Sequence, residues 1–215
     1  MNEAFATPTV AIEIRSGGRN EDRAQHFSAP GRSVFVLADG AGGVGGGAIA
    51  AEIVVQEAQS LFQHRHKSAY DALVAAEQKL ALLGCMSTGV IVELSNGQLN
   101  GASCGDSVAW LICQDRVLEL SSGQFRKPLL GDGGMPVSFG PILFVGRLML
   151  SSDGLVNYVL SDAIIRAATQ YDIADAAKAL VELPRLKSGA FPDDVAILLA
   201  ESTSEVVPRS PLDTK

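Results

Sequence analysis

The alternation of apolar and polar residues divides the first part of the chain into strands and a pair of helices. Residues 8–14 (PTVAIEI) predict a strand and residues 33–39 (SVFVLAD) a buried one, with a polar connection, SGGRNEDRAQ, between them. From Gly46, apolar side chains recur every three or four residues as far as Leu61, which predicts a helix with one buried face. After the polar break QHRHK, a second helix is predicted over residues 68–83.

Beyond these helices the apolar period changes to that of strands. Residues 87–120 hold three or four β-rich runs separated by Asn-Gly, Gly-Asp and Gln-Asp turn signals, which predicts an antiparallel meander. Residues 121–141 are rich in Gly, Pro and Ser and predict a loop. The remaining predicted elements are a strand within 142–152, two short helices within 161–183 and a last strand over 194–201.

Length and composition indicate one globular domain. The chain has 215 residues, 47% hydrophobic and 19% charged, without an internal repeat or a linker. We expect residues 1–202 to form a single domain and residues 203–215, which are polar and contain proline, to form a flexible tail.

The net charge and the cysteine content indicate which partners and which cellular compartment are expected. The net charge is -7, so nucleic acid and anionic membranes are disfavoured as partners, because phosphate affinity comes from clustered Lys and Arg. No apolar run approaches the roughly 20 residues that span a bilayer. Three cysteines without a Cys-x-x-Cys pair indicate a reducing compartment, and the N-terminus does not resemble a secretory signal. We therefore expect a cytoplasmic protein.

A glycine-rich segment after the buried strand allows a nucleotide-binding alternative. Gly40, Gly42 and Gly45 match G-x-G-x-x-G between a predicted strand and a predicted helix. A dinucleotide-binding fold also requires a second parallel strand ending in an acidic residue about 20 positions later. The sequence there is FQHRHKSAYDAL, a basic break followed by a helix. Dinucleotide binding remains a remote alternative. The glycines are better interpreted as residues that let the backbone turn closely around Asp39.

Acidic residues recur in turns beside the predicted strands. They occur in Asn-Glu-Asp at 20–22, Asp-Gly at 39–40, Gly-Asp-Ser at 105–107, Ser-Asp-Gly at 152–154 and Pro-Asp-Asp at 192–194. Each is an ordinary turn sequence by itself. If the apolar strands are neighbours, however, their carboxylates converge and repel one another unless a cation neutralises them. All the candidate donors are oxygens, with no Cys or His at metal spacing, which favours Mg²⁺ or Mn²⁺.

Six segments, taken in order along the chain, resemble the motifs of the metal-dependent protein serine/threonine phosphatases. They are GGRNEDR, VLADGAGG, STGVIV, CGDSVAWLI, LMLSSDGLVNYV and DDVAILL. This family is the PPM or type 2C class, and the resemblance to its compact bacterial members runs from about residue 8 to residue 201. It implies an α+β fold, a four-layer α/β/β/α sandwich of two antiparallel sheets flanked by helices. It also implies hydrolysis of phosphoserine or phosphothreonine in proteins, opposing a serine/threonine kinase, without a phosphoenzyme.

The resemblance further implies a centre of two Mg²⁺ or Mn²⁺ ions at one end of the sandwich. Asp39 looks like the residue that bridges both ions, with the carbonyl of Gly40 on one of them. Asp153 and Asp193 resemble the ligands of the second ion. Glu21 would act through the water shell.

The same motifs assign supporting roles to further residues. Asp22 would support the centre, Asp106 resembles the residue that helps to hold a weaker third ion, and Asp194 would form hydrogen bonds rather than coordinate a metal. The arginine that clamps the substrate phosphate is displaced in this chain, where Arg19 is favoured over Arg15.

Two departures from the family pattern leave a functional alternative open. They are the displaced arginine and a short stretch where relatives carry a flap, residues 121–141. The alternative is a phosphatase-like regulator that binds a phosphoprotein but turns over little.

Overall fold

The structure, a computed structural model, describes residues 7–42, 46–114 and 116–202. Gly45 of the glycine motif and the tail expected over 203–215 lie outside these residues. The strands are β1 (Thr9–Arg15), β2 (Asp22–Ala29), β3 (Arg32–Ala41), β4 (Met86–Ser87), β5 (Gly89–Ser95), β6 (Gln98–Cys104), β7 (Val108–Cys113), β8 (Arg116–Glu119), β9 (Val137–Leu143), β10 (Arg147–Ser151) and β11 (Val195–Glu201). The helices are α1 (Gly46–Gln63), α2 (Ala69–Leu83), α3 (Asp153–Val156), α4 (Ser161–Gln170) and α5 (Ile173–Glu182).

The strands form two sheets in which all paired strands are antiparallel. One sheet has the order β1-β11-β10-β7-β8, and the other has the order β2-β3-β5-β6-β9 with β4 paired to β3. A dinucleotide-binding fold needs parallel strands joined by crossover helices, so this topology excludes that alternative. The glycine segment instead joins β3 to a helical pair.

Three apolar clusters hold the layers together. Between the two sheets, side chains such as Phe35, Leu148 and Leu198 form one cluster. On the outer face of the second sheet, Val34 and its neighbours pack against α1 and α2, and a third cluster joins the first sheet to α4 and α5. Successive residues of β3 point to opposite faces, and both faces are covered, which is why this strand is continuously apolar. The predicted four-layer sandwich is confirmed.

Three differences from the predicted elements concern the strands, and the short helix α3 is a further element that was not predicted. The polar connection after β1, which was not predicted to hold a strand, contains the start of β2. This strand lies at the edge of its sheet, and because one of its faces is partly exposed it needs few apolar residues. The predicted meander is split, because β6 and β7 belong to different sheets and the chain passes between them at Gly105–Ser107. The expected loop ends early, since β9 begins at Val137. Turn residues mark where a strand stops, but they do not specify which sheet the next strand joins.

Among the described residues, no helix is both long and apolar enough to cross a membrane.

Candidate active site

One end of the sandwich carries an open cleft of about 200 Å³ into which the two sheets bring their acidic turns. Asp39 lies in β3 of one sheet, whereas Asp153 follows β10 and Asp193 precedes β11, two neighbouring strands of the other sheet. The carboxylates therefore converge across the sandwich rather than along one sheet edge. Other predicted site residues also line the cleft, namely Arg19, Glu21, Gly40 and Asp106.

Asp39 is fixed through its backbone by the segment that enters β5. Its N–H donates to Oγ1 of Thr88 at 3.0 Å, and its carbonyl accepts from the N–H of Thr88 at 2.8 Å and from Oγ of Ser87 at 2.9 Å. Thr88 is itself tied to Ser107 across the sandwich, with hydroxyl oxygens 2.6 Å apart. Because the backbone of Asp39 is held on both sides, its carboxylate is presented to the cleft from a rigid strand end.

Glycine is required where β3 meets the start of α1. A Cβ added to Gly40 would lie 1.9 Å from the carbonyl oxygen of Gly47, and one added to Gly47 would lie 2.5 Å from the carboxylate of Glu21. This close approach lets the helix begin directly against the strand end. The glycine-rich segment thus supports the acidic site, as the sequence indicated.

Asp22 lies directly opposite Asp39 in the β2–β3 ladder, so the two carboxyl groups share one face of the sheet. Asp22 is only 1% exposed, and neither of its carboxylate oxygens has a hydrogen-bond partner among the described residues. Burial, reinforced by the charge of Asp194, raises the pKa of Asp22 to about 7. Burial together with Asp22 and Asp153 raises the pKa of Asp39 to about 9. Without a compensating cation, burial and mutual repulsion disfavour two negative charges on this pair.

Asp153 is the first residue of the short helix α3, which the sequence did not predict. Ser152, just before it, accepts a hydrogen bond from the N–H of Ala196 on Oγ at 2.9 Å and donates its own N–H to the Ala196 carbonyl. Asn157 Nδ2 donates to Oδ2 of Asp153 at 2.8 Å. Burial and the nearby charges of Asp106 and Asp193 raise the pKa of Asp153. The first sheet, through β10, thus adds another partly buried carboxylate, and this one forms no ion pair among the described residues.

Asp194 forms hydrogen bonds, as the sequence indicated, and it organises the loop that follows β1. Oδ1 accepts from Oγ of Ser16 at 3.0 Å and from the N–H of Gly17 at 2.6 Å, while Oδ2 accepts from the N–H of Glu21 at 2.6 Å. A Cβ on Gly17 would lie 2.3 Å from the carbonyl carbon of Asp193, so the loop passes against the Asp193 backbone. Asp194 therefore fixes the loop carrying Glu21 to the turn carrying Asp193.

The two candidate arginines have different surroundings. Arg15 is held away from the cleft by Glu13 at 2.9 Å and Glu182 at 3.2 Å. Arg19 lines the cleft and takes part in no ion pair among the described residues. The displaced position of Arg19 in the motif therefore does not keep it from the site.

The 121–136 segment adds cationic groups that the sequence analysis did not single out. Lys127 lines the cleft, and Arg126 pairs with the carboxylate of Asp106 at 3.2 Å. The only signal in the sequence was the pair of cations itself, in a loop whose position no pattern specifies.

Glu77 of α2 anchors this segment to the body of the domain. Its carboxylate accepts hydrogen bonds from the backbone N–H groups of Gly131 and Gly133. Leu130 exchanges backbone hydrogen bonds with Ser87, the residue that also contacts the Asp39 carbonyl. The segment is thus fastened both to the second helix and to the site.

The donors that border the cleft suit a hard divalent cation. They are carboxylate and backbone oxygens, and none of the three histidines lines the cleft. Within residues 7–42, 46–114 and 116–202, no three His, Cys, Asp or Glu side chains are already gathered around an ion-sized position. The raised pKa values of Asp39 and Asp153, together with the unpartnered oxygens of Asp22, show negative charge in excess. A cation bound between these groups would offset that excess, so the residues fit the two-metal centre that the motifs imply.

Comparison with known proteins defines the class. The family model described as protein phosphatase 2C matches residues 11–123, which is more than half of the chain. The chain belongs to the protein phosphatase 2C family. It is therefore an enzyme of the serine/threonine phosphatase class, as the motifs predicted. No curated protein matches the chain at a significant level.

Solved structures agree on the fold. The serine/threonine phosphatase Stp1 from Staphylococcus aureus is 22% identical with a TM-score of 0.78, over 94% of this chain and 97% of that one. The Mycobacterium tuberculosis serine/threonine phosphatase PstP/Ppp is 20% identical with a TM-score of 0.74, over 90% and 98% of the two chains. The catalytic domain of PstP in complex with two manganese ions is 21% identical with a TM-score of 0.71, over 91% and 99%.

Proposed function

We propose that this phosphatase hydrolyses phosphoserine and phosphothreonine esters of proteins with two bound Mg²⁺ or Mn²⁺ ions, by direct transfer of the phosphoryl group to water. The observation that carries the proposal is the convergence of Asp39, Asp153 and Asp193 from two sheets on one cleft. Buried carboxylates in such a group are costly unless they bind cations. The manganese-bound structure of PstP, which shares the fold, supports the choice of ion.

The residues of the cleft would divide the binding of the ions between the sheets. Asp39 and the Gly40 carbonyl would hold one ion from β3, Asp39 would also reach the second ion, and Asp153 and Asp193 would hold the second from the opposite sheet. Glu21 would act through coordinated water. Ions held by these residues would supply an acidified water as the nucleophile and positive charge that offsets the negative charge of the phosphoryl oxygens. A weaker third ion would be held with the help of Asp106.

The cationic groups of the rim would bind the phosphate. Arg19 is the group we assign to this role, because a guanidinium presents paired N–H donors to phosphate oxygens and the alternative, Arg15, is engaged with two carboxylates. Lys127 stands in the same cleft as a second positive charge. None of the three cysteines lines the cleft, so a cysteine nucleophile has no support. In the cell, we propose that the enzyme acts in the cytoplasm against a serine/threonine kinase.

The test is hydrolysis of p-nitrophenyl phosphate and of a phosphothreonine peptide with Mn²⁺, with Mg²⁺ and with EDTA. We expect metal-dependent turnover that Asp39→Asn and Asp153→Asn each lower by about 10³-fold or more, because each removes a negative ligand from the centre. Asp175→Asn, an exposed substitution on α5, is the matched control and is expected to retain activity.

Turnover at wild-type rates in either cleft variant would overturn the two-metal assignment. A wild-type protein that binds Mn²⁺ and phosphopeptide but does not hydrolyse either substrate would instead support the phosphoprotein-binding regulator.

A further inference from the structure

A second concave surface adjoins the catalytic cleft. This side pocket has a volume of about 250 Å³ and is lined by residues that include Val108, Trp110, Glu119, Gln124, Arg126 and Asn157. It lies on the sheet edge formed by β7 and β8, between the segment after β8 and the end of α3. None of the catalytic roles assigned above uses it.

The side pocket and the catalytic cleft share a wall. Asp106 lines both, and its carboxylate pairs with Arg126, which lines only the side pocket. On the other side, Asn157 lines the side pocket while its Nδ2 donates to Asp153 in the cleft. A substrate segment whose phosphorylated residue occupies the cleft can therefore continue into the side pocket by crossing this wall.

The walls of the side pocket favour a long basic side chain. Val108, Trp110 and Val156 provide apolar surface, along which the methylene stem of Lys or Arg can lie. Glu119 stands directly opposite Trp110 in the β7–β8 ladder, so its carboxylate is on the same face as the indole. Arg126 is already paired with Asp106, whereas Glu119 forms no ion pair among the described residues. The carboxylate of Glu119 is therefore available to a cationic ligand.

We propose that the side pocket receives an Arg or Lys side chain of the phosphoprotein substrate, next to the phosphorylated residue, with the cationic head beside Glu119. The proposal rests on the proposed phosphatase function and adds a sequence preference to it. The net charge of -7 also favours the approach of basic peptide segments to the protein.

The test compares phosphothreonine peptides in which Arg or Glu is moved one position at a time through the flanking residues. At one position we expect Arg to exceed Glu by about 5- to 10-fold in kcat/KM, the range that a partly exposed ion pair can provide. Glu119→Lys is expected to abolish or reverse that preference while leaving p-nitrophenyl phosphate hydrolysis unchanged. The matched control is Asp175→Lys on α5, which packs at the opposite edge of the same sheet. It changes the net charge equally and is expected to keep the preference.

Peptide binding, followed by tryptophan fluorescence, tests the proposal even if the protein does not hydrolyse the peptides. Trp110 is the only tryptophan of the chain, so its fluorescence reports occupancy of the side pocket. We expect the Arg peptide to change this signal in Asp39→Asn protein and Glu119→Lys to weaken its binding by a similar factor. The side-pocket assignment would be overturned if the wild-type protein bound Arg and Glu peptides equally or hydrolysed them with equal kcat/KM. It would also be overturned if Glu119→Lys protein kept the preference for Arg. Loss of all hydrolysis with the binding preference intact would count only against the proposed catalysis.

Discussion

The floor and the rim of the catalytic cleft are built in different ways. The floor, formed by Asp39, Asp153 and Asp193, is attached to central strands of the two sheets. The rim residue Arg19 is exposed and follows Gly18, whose φ is 129°. The backbone of the floor is held by hydrogen bonds from neighbouring strands, whereas Arg19 is positioned mainly by the turn around it.

Under the proposed function, this difference separates the residues for chemistry from those for substrate recognition. Groups that bind charged ions need fixed positions, and strand ends connected to the apolar core provide them. Groups that meet different protein substrates can lie on loops, which tolerate change without loss of the fold. Substitutions behind the floor should therefore affect stability and chemistry together, and substitutions in the rim should affect substrate binding alone.

The largest effect on stability is expected at Asp194, whose side chain joins the loop after β1 to the turn that carries Asp193. Asp194→Ala removes the acceptor for Ser16, Gly17 and Glu21, and two of these donors are backbone N–H groups. We expect a loss of about 2–4 kcal/mol in the free energy of unfolding, because the buried N–H of Glu21 is left unpaired and two further hydrogen bonds are lost. Chemical denaturation measures it, and Mn²⁺ titration should show weaker binding as well. Asp194→Asn retains one acceptor oxygen and should lose less; equal losses in the two variants would contradict this explanation.

A smaller effect should appear in the pH dependence of the metal-free protein. In the unfolded chain Asp39 ionises near its ordinary pKa of 3.8, whereas in the folded protein its pKa is raised to about 9. Between these values the unfolded state has lost a proton that the folded state retains, so stability falls as pH rises. Asp39→Asn removes this dependence and should raise the melting midpoint at pH 8.5 in EDTA, by about 2–4 °C per kcal/mol of repulsion removed.

The control for this measurement is the exposed Asp175→Asn substitution on α5. It should leave the difference between the midpoints at pH 5 and pH 8.5 as it is in the wild-type protein. Parallel pH profiles for wild type and Asp39→Asn would show that Asp39 is not the group responsible.

The smallest of the three effects tests the rim. Arg19→Ala is expected to raise KM for a phosphopeptide by about 10-fold, the loss of one charge-assisted contact, with no change in the melting midpoint. Arg15→Ala is its matched control, since Arg15 pairs with Glu13 and Glu182 instead of lining the cleft. A larger KM change in Arg15→Ala would reassign the phosphate clamp.

The sequence predicted the floor better than the rim for a physical reason. Asp39 and Asp153 follow apolar runs, and Asp193 precedes one, so hydrophobic patterning located them and the order of motifs connected them. The division of the β-rich region between two sheets was not predicted, because β6 and β7 have the same pattern whichever sheet they join.

Contacts between distant loops could not be predicted either. The segment that carries Arg126 and Lys127 is held by Glu77 on α2, which accepts from the backbone of residues 131 and 133, more than 50 positions away, and by backbone hydrogen bonds between Leu130 and Ser87. Such a contact leaves no periodic signal. The helix α3 is a single turn and is too short to show a helical period.

The position of Asp193 has a consequence for the synthesis of this protein. It lies just before β11, and β11 sits between β1 and β10 in its sheet, so the strand made last completes the pairing of the strand made first. A chain that stops before Asp193 lacks both this carboxylate and the strand that joins β1 to β10. A nascent or truncated product is therefore expected to be catalytically silent, and phosphatase activity begins only when translation of the domain is complete.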